Sequence, residues 1–200
     1  MVPSDAHLPP LRRVDVYRTD LDSVEVLVCG VLVVTTPTRT ALDVASTFPL
    51  EEAVIALDSA YRTAGVSPDE LDAVFGASHR RGVQNARKAL ALADPRSGSV
   101  PESEARLLFA RAGLPAPELQ LEVYADGAFI ARVDFGWVLE RLAVEIDGFA
   151  YHSAGGAFQR DRDRQNALVS AGWKVLRFTV SDLRDRPEYV VAQILAALGY

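Results

Sequence analysis

The sequence is short of cysteine, lysine and histidine. One cysteine, Cys29, stands in 200 residues, which excludes a disulfide framework and a cysteine-built zinc cage. The first ten residues are polar and lack an apolar h-region, so no secretory signal is expected. The longest apolar-rich run, residues 24–34, is broken by Glu25 and Gly30 and is too short to span a membrane. A soluble, reducing, cytoplasmic setting without a membrane partner is the resulting expectation. Positive charge is not in excess either. Against 27 Asp and Glu stand 21 Lys and Arg, for a formal net charge of −6, and neither half of the chain is basic. That balance argues against a protein that coats nucleic acid by charge alone, so any such contact needs a local cluster. Lys88 and Lys174 are the two lysines; the other cations are arginine. There is no internal repeat and no low-complexity tract.

What is present suits a globular protein with a real core: 49% of residues are hydrophobic and 24% charged. The Pro/Gly/Ser cluster Asp94-Pro-Arg-Ser-Gly-Ser-Val-Pro101 reads as a domain boundary. Before it, residues 1–95 read as a small α+β module. A strand is expected at 14–19 and two valine-rich strands around Gly30. Four helices should follow: one opened by Thr36-Pro37, one over 50–63, one opened by the capping box Ser67-Pro-Asp-Glu70, and one over 83–92. After the boundary, residues 100–200 alternate helix, three strands, helix, strand and helix, an α/β layer arrangement. In the helix over 155–171, Phe158, Leu168 and Val169 are expected to face inward.

The chemistry gathers on two short strands of that second part. Arg132-Val-Asp-Phe-Gly-Trp137 alternates so that Arg132, Asp134 and Gly136 share a face. Leu142-Ala-Val-Glu-Ile-Asp-Gly148 alternates so that Ala143, Glu145 and Asp147 share a face. A turn near Leu139-Glu140 would set Asp134 across from Glu145. Like charges opposed across an antiparallel pair are destabilising, and a divalent cation is the plainest relief. Glu102 on the opening helix, His152 beyond the third strand and Gln165 on the next helix complete the set. One carboxylate from a helix and two or three from strands make a hard-oxygen site, suited to Mg²⁺ or Mn²⁺ rather than zinc. A solvated strand face is the plain alternative for the carboxylates. Glu104 rivals Glu102, and a loop position rivals a site position for His152. Arg160, Arg162 and Arg164 either contact phosphate or pair with the interleaved Asp161 and Asp163. Arg39 either binds phosphate or pairs with Asp43 four residues on. Trp137 and Trp173 read as core, and Cys29 as an inert residue of an apolar strand.

Four pieces in this order carry a resemblance. They are Glu102-Ser-Glu-Ala-Arg106 with Ala112-Gly-Leu-Pro115; Val133-Asp-Phe-Gly-Trp137; Val144-Glu-Ile-Asp-Gly148 with His152; and Arg160-Asp-Arg-Asp-Arg164 with Ala171-Gly-Trp-Lys-Val-Leu-Arg177. Over about half of the chain they resemble the very-short-patch-repair (Vsr)-like branch of the PD-(D/E)XK nuclease superfamily. The resemblance implies a restriction-endonuclease-like α/β core with flanking helices and metal-dependent cleavage of DNA. By motif position it implies metal ligation by Asp134, Glu145 and Glu102, and catalytic roles for Asp147 and His152. Arg160, Arg162, Arg164 and Gln165 would meet DNA phosphate. Asp147 stands where the superfamily formula has lysine, a departure common among Vsr-like members. His152, or a second metal held partly by Asp147, is the candidate substitute. A catalytically idle nuclease fold that binds DNA or acts as an antitoxin or regulator is the alternative. More loosely, Thr36-Pro-Thr-Arg-Thr-Ala-Leu-Asp43 resembles the segment after the winged helix of AbiEi-type antitoxins, which implies a toxin or other operon partner. Nothing before Val14 is expected to form a winged helix.

Overall fold

The computed structural model describes residues 16, 17, 19–148 and 155–200, with residues 155–159 described by backbone alone. The N-terminal module begins with a two-stranded antiparallel hairpin, β1 (Val26–Cys29) and β2 (Leu32–Thr35), turned at Gly30 with φ +62°. A left-handed turn of this kind suits glycine, which has no Cβ to clash. The expected strand at 14–19 is not formed at Val16, Tyr17 or Thr19. Cys29 is exposed, not enclosed by its strand, because neither face of this hairpin is covered among the described residues: Val28 and Val33 on one face and Leu27 and Leu32 on the other are open to solvent.

Four helices follow: α1 (Pro37–Thr47), α2 (Leu50–Ala64), α3 (Pro68–Ala77) and α4 (Val83–Leu92). Local chemistry sets their ends. The Thr36 hydroxyl accepts the Arg39 N–H at 3.2 Å, and the Ser67/Glu70 capping box opens α3. Ala41, Leu42, Ala45, Val54, Leu57, Leu71, Phe75 and Ala86 form one apolar core between them. Arg39 is buried in ion pairs with Glu25 at 2.6 Å and Asp43 at 2.8 Å, so pairing and not phosphate binding occupies it.

The C-terminal half has α5 (Val100–Arg111), then β3 (Glu118–Ala125), β4 (Ala128–Trp137) and β5 (Leu142–Asp147). There follow α6 (Gly155–Ser170), β6 (Lys174–Thr179), α7 (Val180–Asp185) and α8 (Pro187–Leu198). The sheet order is β3-β4-β5-β6, with β5 and β6 parallel and α6 as their crossover. One core joins α5 and α8 to the sheet through Phe109, Phe135, Trp137, Val144, Phe178 and Ile194. The other packs Val123, Ala131, Val133, Ala143 and Leu168 on the α6 side. Val169 is 57% exposed, a correction to its expected inward position; one residue past Leu168, it is turned by about 100° around the helix and misses the sheet.

The 94–101 boundary is fastened, not loose. Asp58 of α2, fully buried, accepts the Asp94 N–H at 2.7 Å and the Ser103 hydroxyl at 2.7 Å, and ion-pairs with Arg106 at 2.7 Å. Leu107 of α5 packs against the helical core while Leu108 of the same helix belongs to the sheet core. The two halves therefore share α5. Asp58→Ala would leave Arg106 unpaired at this seam. It is expected to cost about 3–5 kcal/mol of unfolding free energy, read from urea denaturation, while Asp58→Asn costs less.

Candidate active site

Asp134 lies where the β4–β5 ladder opens. The paired residues are Trp137 with Leu142, Gly136 with Ala143, and Phe135 with Val144. One step further, the Asp134 Oδ2 accepts the backbone N–H of Ile146 at 2.9 Å. A side chain thus takes a donor that a continuing ladder would have used. The neighbouring strand breaks its regularity at the same level. Gln120, between Leu119 and Leu121 in β3, has φ +50°, a left-handed conformation that costs a non-glycine residue about 1–3 kcal/mol. Packing changes hands here. Leu119 and Phe135 join the core under α5, whereas Val123, Ala131 and Val133 join the core under α6. Strict alternation along β4 is therefore interrupted at Asp134, and the expected common face for Arg132, Asp134 and Gly136 does not hold. On β5 the alternation is kept, with Leu142, Val144 and Ile146 in one core and Ala143 in the other.

The backbone irregularity has a use. The Gln120 Nε2 donates to the Glu102 Oε2 at 2.8 Å and, more weakly, to the Asp134 Oδ1 at 3.4 Å. Glu102 sits in the first turn of α5, capped by Ser99, and its Oε2 also accepts the Gly98 N–H at 2.8 Å. Its rival Glu104 points elsewhere, to an ion pair with Arg184 at 2.7 Å. Gln120 is a site residue that the strand pattern concealed; its one signal in the sequence was an amide between two leucines.

Glu145 is buried among cations. Arg164 of α6 approaches its Oε1 at 2.8 Å, and Arg177 of β6, its partner in the parallel register, approaches Oε2 at 2.7 Å. Asp161 holds Arg177 by two contacts of 2.6 and 2.7 Å and keeps its guanidinium charged above its ordinary range. Despite the guanidinium 2.8 Å away, Glu145 Oε1 is buried and accepts no aligned hydrogen bond from the described residues. Asp147 ends β5, half-buried and in register with Thr179. Arg160 and Arg162 are exposed on α6, and Gln165 is half-buried. His152 and the side chains of the helix start lie outside the described residues.

Asp134 is the electrostatic centre. Burial first, then the carboxylates of Glu102 and Glu145, push its pKa up to about 6, against the Ile146 N–H and Gln120 amide that lower it. Asp134, whose charge Glu102 and Glu145 disfavour, and those two carboxylates form a donor set of the chemistry a hard divalent cation needs. As the side chains stand, no three Asp, Glu, His or Cys residues among those described close around a single metal position.

Comparison with known proteins decides the coarse class. Residues 122–198 match the family model REase_MTES_1575, a restriction-endonuclease-like family. This supports a nuclease-fold family for the half that carries Asp134, Glu145 and α6, and the mixed α/β sheet fits it in general terms. Two proteins of Mycobacterium tuberculosis, named as uncharacterized proteins MT2308 (strain CDC 1551) and Rv2248 (strain H37Rv), are each 37% identical over 161 residues. The match covers 80% of this chain and 59% of theirs, so it spans less than two thirds of these relatives. No solved structure matches the chain. Among the described residues, no helix is long and apolar enough to cross a membrane.

The raised Asp134 pKa has a direct consequence for stability. The folded state binds this proton more tightly than the unfolded chain, so stability falls as pH rises from about 4 to about 6 and stays lowered above that. Asp134→Asn is expected to stabilise the metal-free protein by up to about 3 kcal/mol at pH 7.5 and to change little at pH 4, as read by calorimetric melting at both pH values.

Proposed function

We propose that this chain hydrolyses DNA phosphodiester bonds with the help of Mg²⁺ or Mn²⁺, on a Vsr-like PD-(D/E)XK core. The observation that carries the reading is the convergence on Asp134. Burial, and then the carboxylates of Glu102 and Glu145 from two different elements, raise its pKa, and Asp134 and Glu145 lie within the residues 122–198 that match a restriction-endonuclease-like family. Asp134 and Glu145 would hold the cation, and Glu102 would join directly or through water. When bound, the cation supplies polarisation of the phosphodiester, a more acidic water and charge for the leaving oxygen. Asp147 and His152 would orient the attacking water in place of a lysine. Arg160 and Arg162, exposed on α6, would steady the phosphate, and Gln165 would support them. Gln120 keeps Glu102 and Asp134 in fixed relation by donating to both. The pathway we favour is phage defence, toxin–antitoxin regulation or DNA repair in the cytoplasm. The AbiEi-like segment around Thr36–Asp43 favours an operon partner.

A second reading has its own support. Glu145 is already neutralised by Arg164 and Arg177, and the carboxylates do not enclose one point. These facts favour a nuclease fold that binds DNA without cutting it. Supercoiled plasmid incubated with Mg²⁺ or Mn²⁺ separates the two. Nicking by the wild type and none by Asp134→Ala is the expected result. Plasmid retained on the protein without nicking identifies the idle fold. Neither retention nor nicking, with no cation bound in calorimetry, removes the nucleic-acid reading.

A further inference from the structure

The two arginines on Glu145 are not equivalent. Arg177 is gripped at two points by Asp161, at 2.6 and 2.7 Å, and its side chain is 22% exposed. Arg164 is held more loosely. Its hydrogen bonds are 3.0 Å to Glu145, 3.3 Å to Asp161 and 3.3 Å to the Arg132 carbonyl, and its side chain is 33% exposed. The difference is sharpest at Oε1. That oxygen lies 2.8 Å from Arg164 yet is buried without an aligned hydrogen bond from the described residues. A guanidinium that neutralises a buried carboxylate oxygen without donating to it leaves part of the desolvation cost uncompensated.

We propose that Arg164 is an exchangeable counterion: it neutralises Glu145 while the site holds no metal, and moves to a DNA phosphate oxygen when a divalent cation takes Glu145 Oε1. The inference rests on the reading of Asp134 and Glu145 as metal ligands. Two cations compete for one buried oxygen, so Arg164 must weaken metal binding in the absence of DNA. A displaced guanidinium recovers its lost partner best at a phosphate, whose oxygens match its planar fork. Metal and DNA then strengthen each other's binding, and by linkage they do so equally in both directions. Arg177, pinned by Asp161, stays behind and keeps Glu145 from standing bare. The arrangement makes the site ready for metal chiefly when a phosphate is present.

The test is calorimetric titration of the full chain with Mn²⁺, alone and with a short DNA duplex. The proteins are wild type, Arg164→Gln and Arg164→Lys, each first checked for a wild-type melt. Without DNA, Arg164→Gln is expected to bind Mn²⁺ roughly tenfold more tightly than wild type, and to gain less from the duplex than wild type does. Arg164→Lys keeps the charge but loses the fork, so its Mn²⁺ affinity should fall between the two, and it carries the test if the glutamine variant does not fold. Mn²⁺ affinity at or below the wild-type value in the folded variants overturns the proposal. Failure of wild type and variants to bind Mn²⁺ at all, with or without duplex, overturns instead the metal-site reading beneath it.

Discussion

The opening of the β4–β5 ladder at Asp134 is the constraint on which the rest of the site depends. A regular antiparallel pair would have spent the Ile146 N–H on a backbone carbonyl. Here the Asp134 carboxylate takes it, which places a half-buried carboxylate at the point where the strands part. β3 answers with the left-handed Gln120, and its amide ties Asp134 to Glu102 at the start of α5. The sheet's packing also divides there, with one stretch against α5 and α8 and the other against α6. Strain, burial and charge repulsion are thus concentrated in one place, as they are where a fold is arranged for binding or chemistry and not for stability alone.

Around that point the protein handles its charges in two ways. Among the described residues, Asp134 is left with two hydrogen bonds and no cation, and its pKa rises. Glu145 is supplied with two arginines and a carboxylate behind them. A further acid, the fully buried Asp58, is satisfied by Arg106, Ser103 and the Asp94 N–H, and serves to weld the helical module to α5. The same residue type is structural in one setting and chemically poised in the other. The number of donors around it makes the difference.

Much of the fold was legible because local signals were strong. Thr36-Pro37, Ser67-Pro68 and Pro187 open α1, α3 and α8, and Gly65, Gly113 and Gly172 follow the ends of α2, α5 and α6 with positive φ. The ends of α4 match the expectation residue for residue, and β4 and β5 form where two strands were expected. Where the reading failed, the signal was not local. The expected strand over 14–19 is not formed at the described residues Val16, Tyr17 and Thr19. Val169 looked apolar and inward, but the helix turns it to solvent. Gln120 carried no motif, and Arg177 closed one that gave it no role, since their importance comes from a bend and from register.

Sequence alone determined the class of this protein: an α/β half with carboxylates in a nuclease-like order, preceded by a small helical module with a hairpin. Periodicity, caps and turn residues encode that much because they act over a few residues. Only the tertiary structure decided which carboxylates meet which partners. It set Glu102 and not Glu104 beside Asp134, turned Arg164 onto Glu145, and buried Arg39 between Glu25 and Asp43. Those outcomes depend on burial and on contacts between residues far apart in the chain, and spacing along the chain does not record them.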